Sequence, residues 1–136
     1  MGGMPSCKQS APARYEYRGG IEAYCAAAAP LLDADVNARF VVCEGWLEAN
    51  RARVEKAAES ANLRILERVD VCGKVGKSPL FAVYVMEKNA ATTVETSMAK
   101  EVTLCVRDAE GFHTKAYAEL LMEMGIPPHV RPNPAS

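Results

Sequence analysis

The spacing of hydrophobic residues predicts that the chain begins with helix, strand and helix. Residues 19–34 carry apolar side chains one helical turn apart, and the predicted stripe is Ile21, Tyr24, Cys25, Ala28 and Leu32. Pro30 should bend the last turn of this helix. The short apolar run at 38–45 predicts a buried strand. Residues 46–61 predict a second helix, which Asn62 can end in the left-handed conformation.

Three further strands are predicted by alternation and by apolar runs. Residues 63–71 alternate, which predicts a half-solvated strand near a sheet edge. Its predicted apolar face is Leu63, Ile65, Val69 and Val71, and its polar face is Arg64, Arg68 and Asp70. Residues 79–86 are apolar on both faces and predict a central strand. The link between these two strands is too short for a helical crossover, so they should form an antiparallel hairpin. Val102, Leu104 and Val106 predict a third half-buried strand.

The remaining segments complete a single α/β domain. Residues 89–98 predict a loop, and 108–111 predict a turn. Thr114 is a good N-cap for a final helix whose predicted stripe is Tyr117, Leu120, Leu121 and Met124. Gly125 should end this helix. The predicted organisation is an irregular segment at 1–18, one folded unit at 19–126 and a flexible tail at 127–136. The β-α-β unit at 38–71 calls for a right-handed crossover and a parallel pair.

Composition and charge restrict the class of protein. The chain has 136 residues, 16 basic and 17 acidic side chains, and a net charge of −1. It therefore has no overall attraction for nucleic acid or anionic membranes, and any such surface must be local. No apolar run is long enough to span a bilayer, and no secretory signal is recognised. The five cysteines form no CxxC motif. We therefore expect no metal site and no disulfide framework, and a reducing, cytoplasmic environment.

The N-terminus "MGGMPSC" formally matches the myristoylation pattern, with Gly2 and Ser6 in the required places. Cys7 follows as a possible second acylation site. The pattern is short enough to occur by chance, and the sequence does not decide whether Gly2 is acylated.

The stretch "GKVGKSPLFAVYVM" covers residues 73–86. Its basic part ends in Gly-Lys-Ser, like the motif of a phosphate-binding P-loop. A P-loop needs a glycine five residues before Gly76, where this chain has Val71. A P-loop also leads into a helix, whereas this segment leads into a strand. We therefore interpret it as a basic hairpin turn whose glycines adopt positive φ.

Motifs for covalent or metal-assisted catalysis are missing from the sequence. It contains neither G-x-S-x-G nor H-E-x-x-H, and no G-x-G-x-x-G loop follows a strand. The two histidines, His113 and His129, belong to no motif that joins them to a nucleophile.

The basic residues are more informative as a set. Lys8, Arg14 and Arg18 crowd the N-terminal segment, Arg64 and Arg68 share a predicted strand face, and Lys74 and Lys77 lie in its turn. If they gather on one side, they could follow a nucleic-acid backbone. The alternative is an ordinary solvated surface, which the near-zero net charge favours.

The order of these segments resembles the C-terminal half of class I, Rossmann-like, S-adenosylmethionine-dependent methyltransferases. The similar branch contains bacterial tRNA adenine methyltransferases that modify an exocyclic amine. "KQSAPARYEYRGGIEAYCAAAAPLL" looks like the charged loop and helix that follow the Asn-Pro-Pro-Tyr motif. "ARFVVC" looks like the fifth strand, "NRARVEKAAESANLRILERVDV" like the next helix and strand, and "GKSPLFAVYVM" like the hairpin into the last strand. "VRDAEGFHTKAYAELLMEMGIPP" is similar to a C-terminal extension of some members.

The resemblance implies a partial doubly wound sheet with an antiparallel hairpin at its edge and a C-terminal helix. It also implies transfer of a methyl group from S-adenosylmethionine to an adenine amine of tRNA. Arg14 and Glu16 match the charged segment beside the target pocket, which makes them candidates for substrate positioning. Lys8, Arg18, Lys74 and Lys77 are candidates for contacts with RNA phosphates.

The cofactor loop and the Asn-Pro-Pro-Tyr motif of the family do not occur in this sequence. We therefore expect a truncated or split methyltransferase that does not bind S-adenosylmethionine alone. The strand at 38–43 should then have an open edge, available to a missing N-terminal half or to self-association. Two alternatives stay open: a non-catalytic RNA-binding or protein-interaction module derived from this fold, and an incomplete gene product.

Overall fold

The structure is a computed structural model that describes residues 19–33, 37–89 and 98–132. Its helices are α1 (Ile21–Ala28), α2 (Glu48–Ser60) and α3 (Lys115–Glu123), with a 3-10 turn at Ala29–Leu31. Its strands are β1 (Phe40–Gly45), β2 (Leu63–Lys74), β3 (Phe81–Lys88) and β4 (Lys100–Arg107). None of the helices in these ranges combines the length and hydropathy needed to cross a bilayer.

The four strands form one mixed sheet in the order β1-β3-β2-β4. β3 pairs antiparallel with both β1 and β2, whereas β2 pairs parallel with β4. The predicted hairpin and the central position of residues 79–86 are therefore confirmed. β1 and β2 run in the same direction, but β3 separates them, so the β-α-β unit skips one position. β2 is an inner strand rather than the predicted near-edge strand, because β4 adds on its far side.

α1 and α2 cover one face of the sheet, which we call the helix face. Its core consists of Ile21, Cys25, Val54, Ala57, Ala58, Leu63, Ala82, Tyr84 and Met86. The predicted stripes are correct for Ile21 and Cys25, but Tyr24 is exposed. Pro30 has no backbone N–H to donate, and the α-helix gives way to the 3-10 turn that contains it. Asn62 ends the α2 connection at a φ of 56°, as predicted.

A β-bulge in β2 changes which side chains share a face. The register with β3 shifts between Ile65 and Glu67. Ile65 lies opposite Met86 on the helix face, whereas Val69 lies opposite Val83 on the other face. The extra residue reverses the alternation. The predicted apolar face of residues 63–71 is therefore wrong beyond the bulge, because strict alternation assumes an uninterrupted strand.

The bulge places Arg68 on the helix face, opposite Tyr84. Arg68 is only 6% exposed. Its Nε donates to Asp70 Oδ1 at 2.9 Å, and its NH2 donates to the backbone oxygen of Trp46 at 3.2 Å. The guanidinium also lies 5.7 Å from the centre of the Tyr84 ring. Burial of this charge is thus compensated by an ion pair, a carbonyl and an aromatic face.

Arg64 precedes the bulge and lies opposite Glu87 on the other sheet face. Its side chain forms an ion pair with Glu87, which Arg39 also contacts at 2.9 Å. The prediction that Arg64 and Arg68 share one polar face is therefore wrong. The physical reason is the same inserted residue.

β1 forms one edge of the described sheet. On its helix face, Phe40 and Val42 pack against the core, but Val41 on the opposite face is 57% exposed and Cys43 is exposed too. The predicted buried strand is therefore buried on one face only. Apolar sequence alone did not reveal this, because it does not specify whether a second layer covers the strand.

The segment after β4 has the predicted turn and caps. Asp108 Oδ1 accepts hydrogen bonds from the backbone N–H groups of Glu110 (2.9 Å) and Phe112 (3.1 Å). Thr114 caps α3 by accepting from the N–H of Tyr117 at 3.3 Å. Gly125 follows α3 with a φ of 72°. The buried residues of α3 are Ala118 and Leu121 rather than the full predicted stripe.

Tyr84 provides a test of the core. Its side chain is 1% exposed, and within the described structure its hydroxyl has no hydrogen-bond partner. An unpaired buried polar group destabilises a fold. We expect Tyr84→Phe to raise the free energy of unfolding by about 1 kcal/mol, measured by urea denaturation at pH 7. Tyr24→Phe, at an exposed position, is the control and should change it little.

Tyr84 should also affect stability at alkaline pH. Burial raises the pKa of its phenol above the usual value of 10.0. Above that pH the unfolded chain releases the phenol proton and the folded chain keeps it, so the fold loses stability as the pH rises. The Tyr84→Phe variant should lose less stability than the wild type between pH 9 and pH 11. Equal losses would contradict this account.

Candidate nucleic-acid interface

The carboxyl ends of three strands lie together at one end of the sheet, and we call this end the carboxyl edge. β1, β2 and β4 run in the same direction and end at Gly45, Lys74 and Arg107. Ligands of open α/β sheets bind beyond the carboxyl ends of parallel strands. This edge is therefore where the fold would present a binding site.

The hairpin between β2 and β3 is fixed at this edge by backbone hydrogen bonds. Lys77 N–H donates to the Lys74 carbonyl at 3.1 Å, and Gly76 turns the chain at a φ of 81°. Val75 N–H donates to the carbonyl of Arg107 at 2.9 Å, which ties the turn to the end of β4. The turn is thus a hairpin with positive φ at Gly76, as the sequence indicated, and it leads into a strand. The same prediction is wrong for Gly73, which lies in β2 without positive φ.

Three cations gather at the hairpin: Lys74, Lys77 and Arg107, called here the basic cluster. Lys74 and Arg107 are direct partners in the parallel register of β2 and β4. All three residues are exposed. Like charges opposite each other destabilise a strand pair, so this placement has a cost that a bound anion would remove.

The basic cluster differs from most other cations in the described ranges because its residues have no carboxylate partner. Arg39, Arg51, Arg53, Arg64, Arg68, Arg131, Lys100 and Lys115 each have a carboxylate partner. The described cations without one are Lys56, Lys74, Lys77, Lys88 and Arg107. Lys56 lies on α2, and Lys88 ends β3 at the opposite edge of the sheet. The unpaired charge of this part of the chain is therefore concentrated at the carboxyl edge.

Exposed apolar side chains adjoin the basic cluster. Val75 and Leu80 in the hairpin and Phe81 at the start of β3 are all exposed. Single-stranded nucleic acids are bound by combining cations, which follow the backbone, with aromatic or apolar surfaces on which bases stack. The hairpin offers both types of group side by side.

A group of ring side chains, formed by His113, His129 and Phe112, lies beside Arg107. His113 forms an antiparallel bridge with Arg107. Its Nδ1 accepts a hydrogen bond from the backbone N–H of His129 at 2.9 Å, and the His129 ring stacks on Phe112 with centroids 5.1 Å apart. Desolvation lowers the pKa of His113, and the electrostatic influence of Arg107 and His129 lowers it further. The acceptor role of Nδ1 and the lowered pKa both favour the neutral form of the His113 ring.

A cavity of about 650 Å³ opens between α3 and the segment that follows it. Its lining residues are Asp108, His113, Thr114, Lys115, Ala118, Glu119, Met122, Pro128, Val130 and Arg131. Arg131 bonds to both Asp108 (3.2 Å) and Glu110 (3.0 Å). Desolvation acts to raise the pKa of Asp108, but bonds from Phe112 N–H, Glu110 N–H and Arg131 lower it overall. The charges of Asp108 and Arg131 at the rim of the cavity are therefore neutralised by ion pairing.

The structure groups some of the predicted site residues and not others. Lys74 and Lys77 lie together in the hairpin, whereas Arg68 is buried and Arg64 is paired with Glu87. Lys8, Arg14, Glu16 and Arg18 lie outside the described residues, as do Gly2 and Cys7. Local sequence patterns did not predict that Arg107 would join the lysines, because its position depends on the pairing of β4 with β2. Within the described ranges, His, Cys, Asp and Glu form no group of three that could hold a metal ion.

The cost of opposing Lys74 and Arg107 is testable. We expect Lys74→Glu to stabilise the fold by about 0.2–1 kcal/mol, because it replaces a repulsion across the strands with an attraction. Thermal unfolding at low and high salt measures this, and salt should reduce the gain by screening. Lys77→Glu is the matched control, since Lys77 lies in the turn without a strand partner. An equal gain from both variants would show that overall charge is responsible.

Comparison with known proteins adds no identification. No protein-family model matches the chain, and no curated protein matches it by sequence. Functional inference for this chain therefore depends on its fold and on the geometry of the carboxyl edge.

Proposed function

We propose that this chain is the C-terminal half of an S-adenosylmethionine-dependent methyltransferase domain that acts on RNA, with tRNA adenine as the acceptor class. In this proposal the chain supplies the far half of the sheet and an RNA-contacting edge. Another polypeptide segment supplies the cofactor loop and the Asn-Pro-Pro-Tyr motif.

One observation carries the proposal: the order and direction of β1, β3 and β2. Two parallel strands are joined by a helix, and an antiparallel strand lies between them. The far half of the methyltransferase sheet has this arrangement, with its last strand inserted antiparallel between the two before it. Simple β-α-β units place their parallel strands side by side or leave a gap for another parallel strand, so an antiparallel insertion is a more selective feature.

The free side of β1 supports the same proposal. Among the described residues, β1 pairs only with β3, which leaves its other edge open. Its sequence from Phe40 to Gly45 is mainly apolar, with Val41 and Cys43 exposed. Open apolar edges pair readily with other strands. In the methyltransferase sheet the preceding parallel strand occupies this position.

The described residues do not fit the cofactor by themselves. β1 ends in one glycine, Gly45, and leads into α2 through Trp46 and Leu47, and no side chain caps α2. A dinucleotide-type loop needs several glycines, so that the backbone can approach the ligand and expose helix N–H groups to it. We therefore derive no catalytic step through S-adenosylmethionine for this chain alone.

The basic cluster supports RNA as the ligand at the carboxyl edge. Lys74, Lys77 and Arg107 have no carboxylate partner in the described structure, and exposed Val75 and Leu80 lie beside them. The same observation favours a second candidate function, an RNA-binding module without catalysis. The two functions differ in whether a second segment can complete an active enzyme.

Methyl transfer separates these two functions. We expect the chain alone not to bind S-adenosylmethionine by titration calorimetry. Co-expressed with the N-terminal half of a tRNA adenine methyltransferase that ends after its Asn-Pro-Pro-Tyr motif, it should form a complex that transfers tritiated methyl groups to tRNA. The N-terminal half alone is the control. Micromolar cofactor binding by the isolated chain would contradict the assignment of the cofactor half to another segment. A stable complex without methyl transfer would favour the non-catalytic module.

RNA binding tests the basic cluster separately. We expect the chain to bind tRNA with an affinity that falls as salt rises. Replacing Lys74, Lys77 and Arg107 by alanine should flatten the slope of log K against log salt by about 2–3, since each phosphate contact contributes about 0.7–0.9. The matched control replaces Lys56 and Lys88, which also lack a partner in the described structure but lie elsewhere. Equal effects of the two sets, or no binding at low salt, would contradict an interface at the hairpin.

A further inference from the structure

Cys72 and Cys105 are direct partners in the parallel pair of β2 and β4. We propose that they form a redox-active dithiol, which low-molecular-weight disulfides such as oxidised glutathione convert into a disulfide between the two strands. This modification site is independent of the proposed function, because it uses neither the basic cluster nor the open edge of β1.

The backbone holds the two thiols at bonding range. Neighbouring strands lie about 4.7–4.9 Å apart, within the roughly 4.4–6.8 Å that disulfides span between Cα atoms. Partners in a parallel register project to the same side of the sheet, so both Sγ atoms lie on one face. The two side chains therefore lie next to each other across the strand pair. Closure therefore needs side-chain rotation rather than movement of the strands.

The other described cysteines do not form such a pair. Cys25 belongs to α1 and is fully buried in the core, and Cys43 lies on β1. Two strands, β3 and β2, separate β1 from β4 in the sheet. Cys7 lies outside the described residues. Within the described sheet, Cys72 and Cys105 are thus the cysteines whose positions favour an intrachain bond.

The difference in burial between the two thiols suggests the order of the reaction. Cys72 is 4% exposed, whereas Cys105 is half-buried. Burial, the neighbouring Cys105 thiol and the charge of Asp70 all raise the pKa of Cys72. Cys105 is therefore the thiol that an external disulfide reaches first, because an accessible thiolate is the nucleophile in exchange.

The reaction balances with one oxidant molecule. The Cys105 thiolate attacks one sulfur of oxidised glutathione, forms a mixed disulfide and releases one glutathione thiolate. Cys72 then gives up its proton and attacks Sγ of Cys105, which releases the second glutathione. The two protein thiols lose two electrons and two protons in total, and the oxidant becomes two molecules of glutathione. In a reducing compartment the reverse exchange restores the dithiol.

The bond would fix the β4–α3 unit to the rest of the sheet. β4 is an edge strand, and within the described structure its strand partner is β2. Cys105 also lies next to the start of α3, because its carbonyl accepts a hydrogen bond from the Thr114 hydroxyl. A covalent link closes a long loop in the unfolded chain and thereby disfavours unfolding.

Peptide mapping provides the test. Trypsin should release Cys72 in residues 69–74 and Cys105 in residues 101–107, and it should place each of the other cysteines in a separate peptide. The folded full-length chain is incubated with oxidised glutathione, and free thiols are then blocked with iodoacetamide. We expect the main disulfide species to join 69–74 to 101–107, with a mass two hydrogens below the sum of the two peptides. The thermal midpoint of the oxidised chain should rise by roughly 5–15 °C and fall back on reduction.

Two variants make the outcome decisive. Cys105→Ser should abolish the linked peptide and the rise in the thermal midpoint, whereas Cys43→Ser should preserve both. Alkylation of both Cys72 and Cys105 after oxidation of the wild type would overturn the proposal. So would links that mainly involve Cys43, or a 69–74 to 101–107 link that forms only in denaturant.

Discussion

β3 is hydrogen-bonded along both sides, to β1 in one direction and to β2 in the other, and it runs opposite to both. Its side chains Ala82, Tyr84 and Met86 form the centre of the core under α1 and α2. The parallel strands β1 and β2 do not pair with each other, so their relative position depends on β3. The carboxyl edge exists for the same reason, since the β2–β3 turn must lie where β2 ends.

The bulge in β2 also determines which side chains lie in the interior of the fold. By inserting one residue after Ile65, it turns Arg68 toward the helices and leaves Arg64 on the opposite face. The buried guanidinium then needs Asp70 and the Trp46 carbonyl as partners. The Tyr84 hydroxyl beside it has no partner in the described structure. A buried polar cluster that is only partly satisfied costs stability, but it also restricts β2 to one register, because a one-residue slip would move Arg68 away from its partners.

Charge is distributed unevenly over the described surface. Away from the carboxyl edge, most described cations are matched by carboxylates, as in the bidentate pair of Arg53 with Glu22, and the exceptions are Lys56 and Lys88. At the carboxyl edge, Lys74 and Arg107 oppose each other without such a partner. The near-zero net charge of the chain therefore conceals a local excess of positive charge. The like charges of Lys74 and Arg107 oppose the pairing of β2 with β4.

The sequence by itself determined the identity of most elements in the described ranges. Local signals were sufficient for the bend at Pro30, the left-handed Asn62, the Gly76 hairpin, the Thr114 cap and the central position of residues 79–86. These features depend on backbone conformation and on hydropathy over a few residues. The lysines of the hairpin could also be named from sequence, because a turn exposes its side chains.

Only the tertiary structure decided which residues face each other. The bulge that separates Arg64 from Arg68, the pairing of Arg107 with Lys74 and the contact of Cys72 with Cys105 all depend on strand register. Register is set by contacts between residues far apart in the chain, and one inserted residue reverses every side chain that follows it. Local patterns carry no information about such contacts, so they predicted the strands but not the surfaces that the strands form.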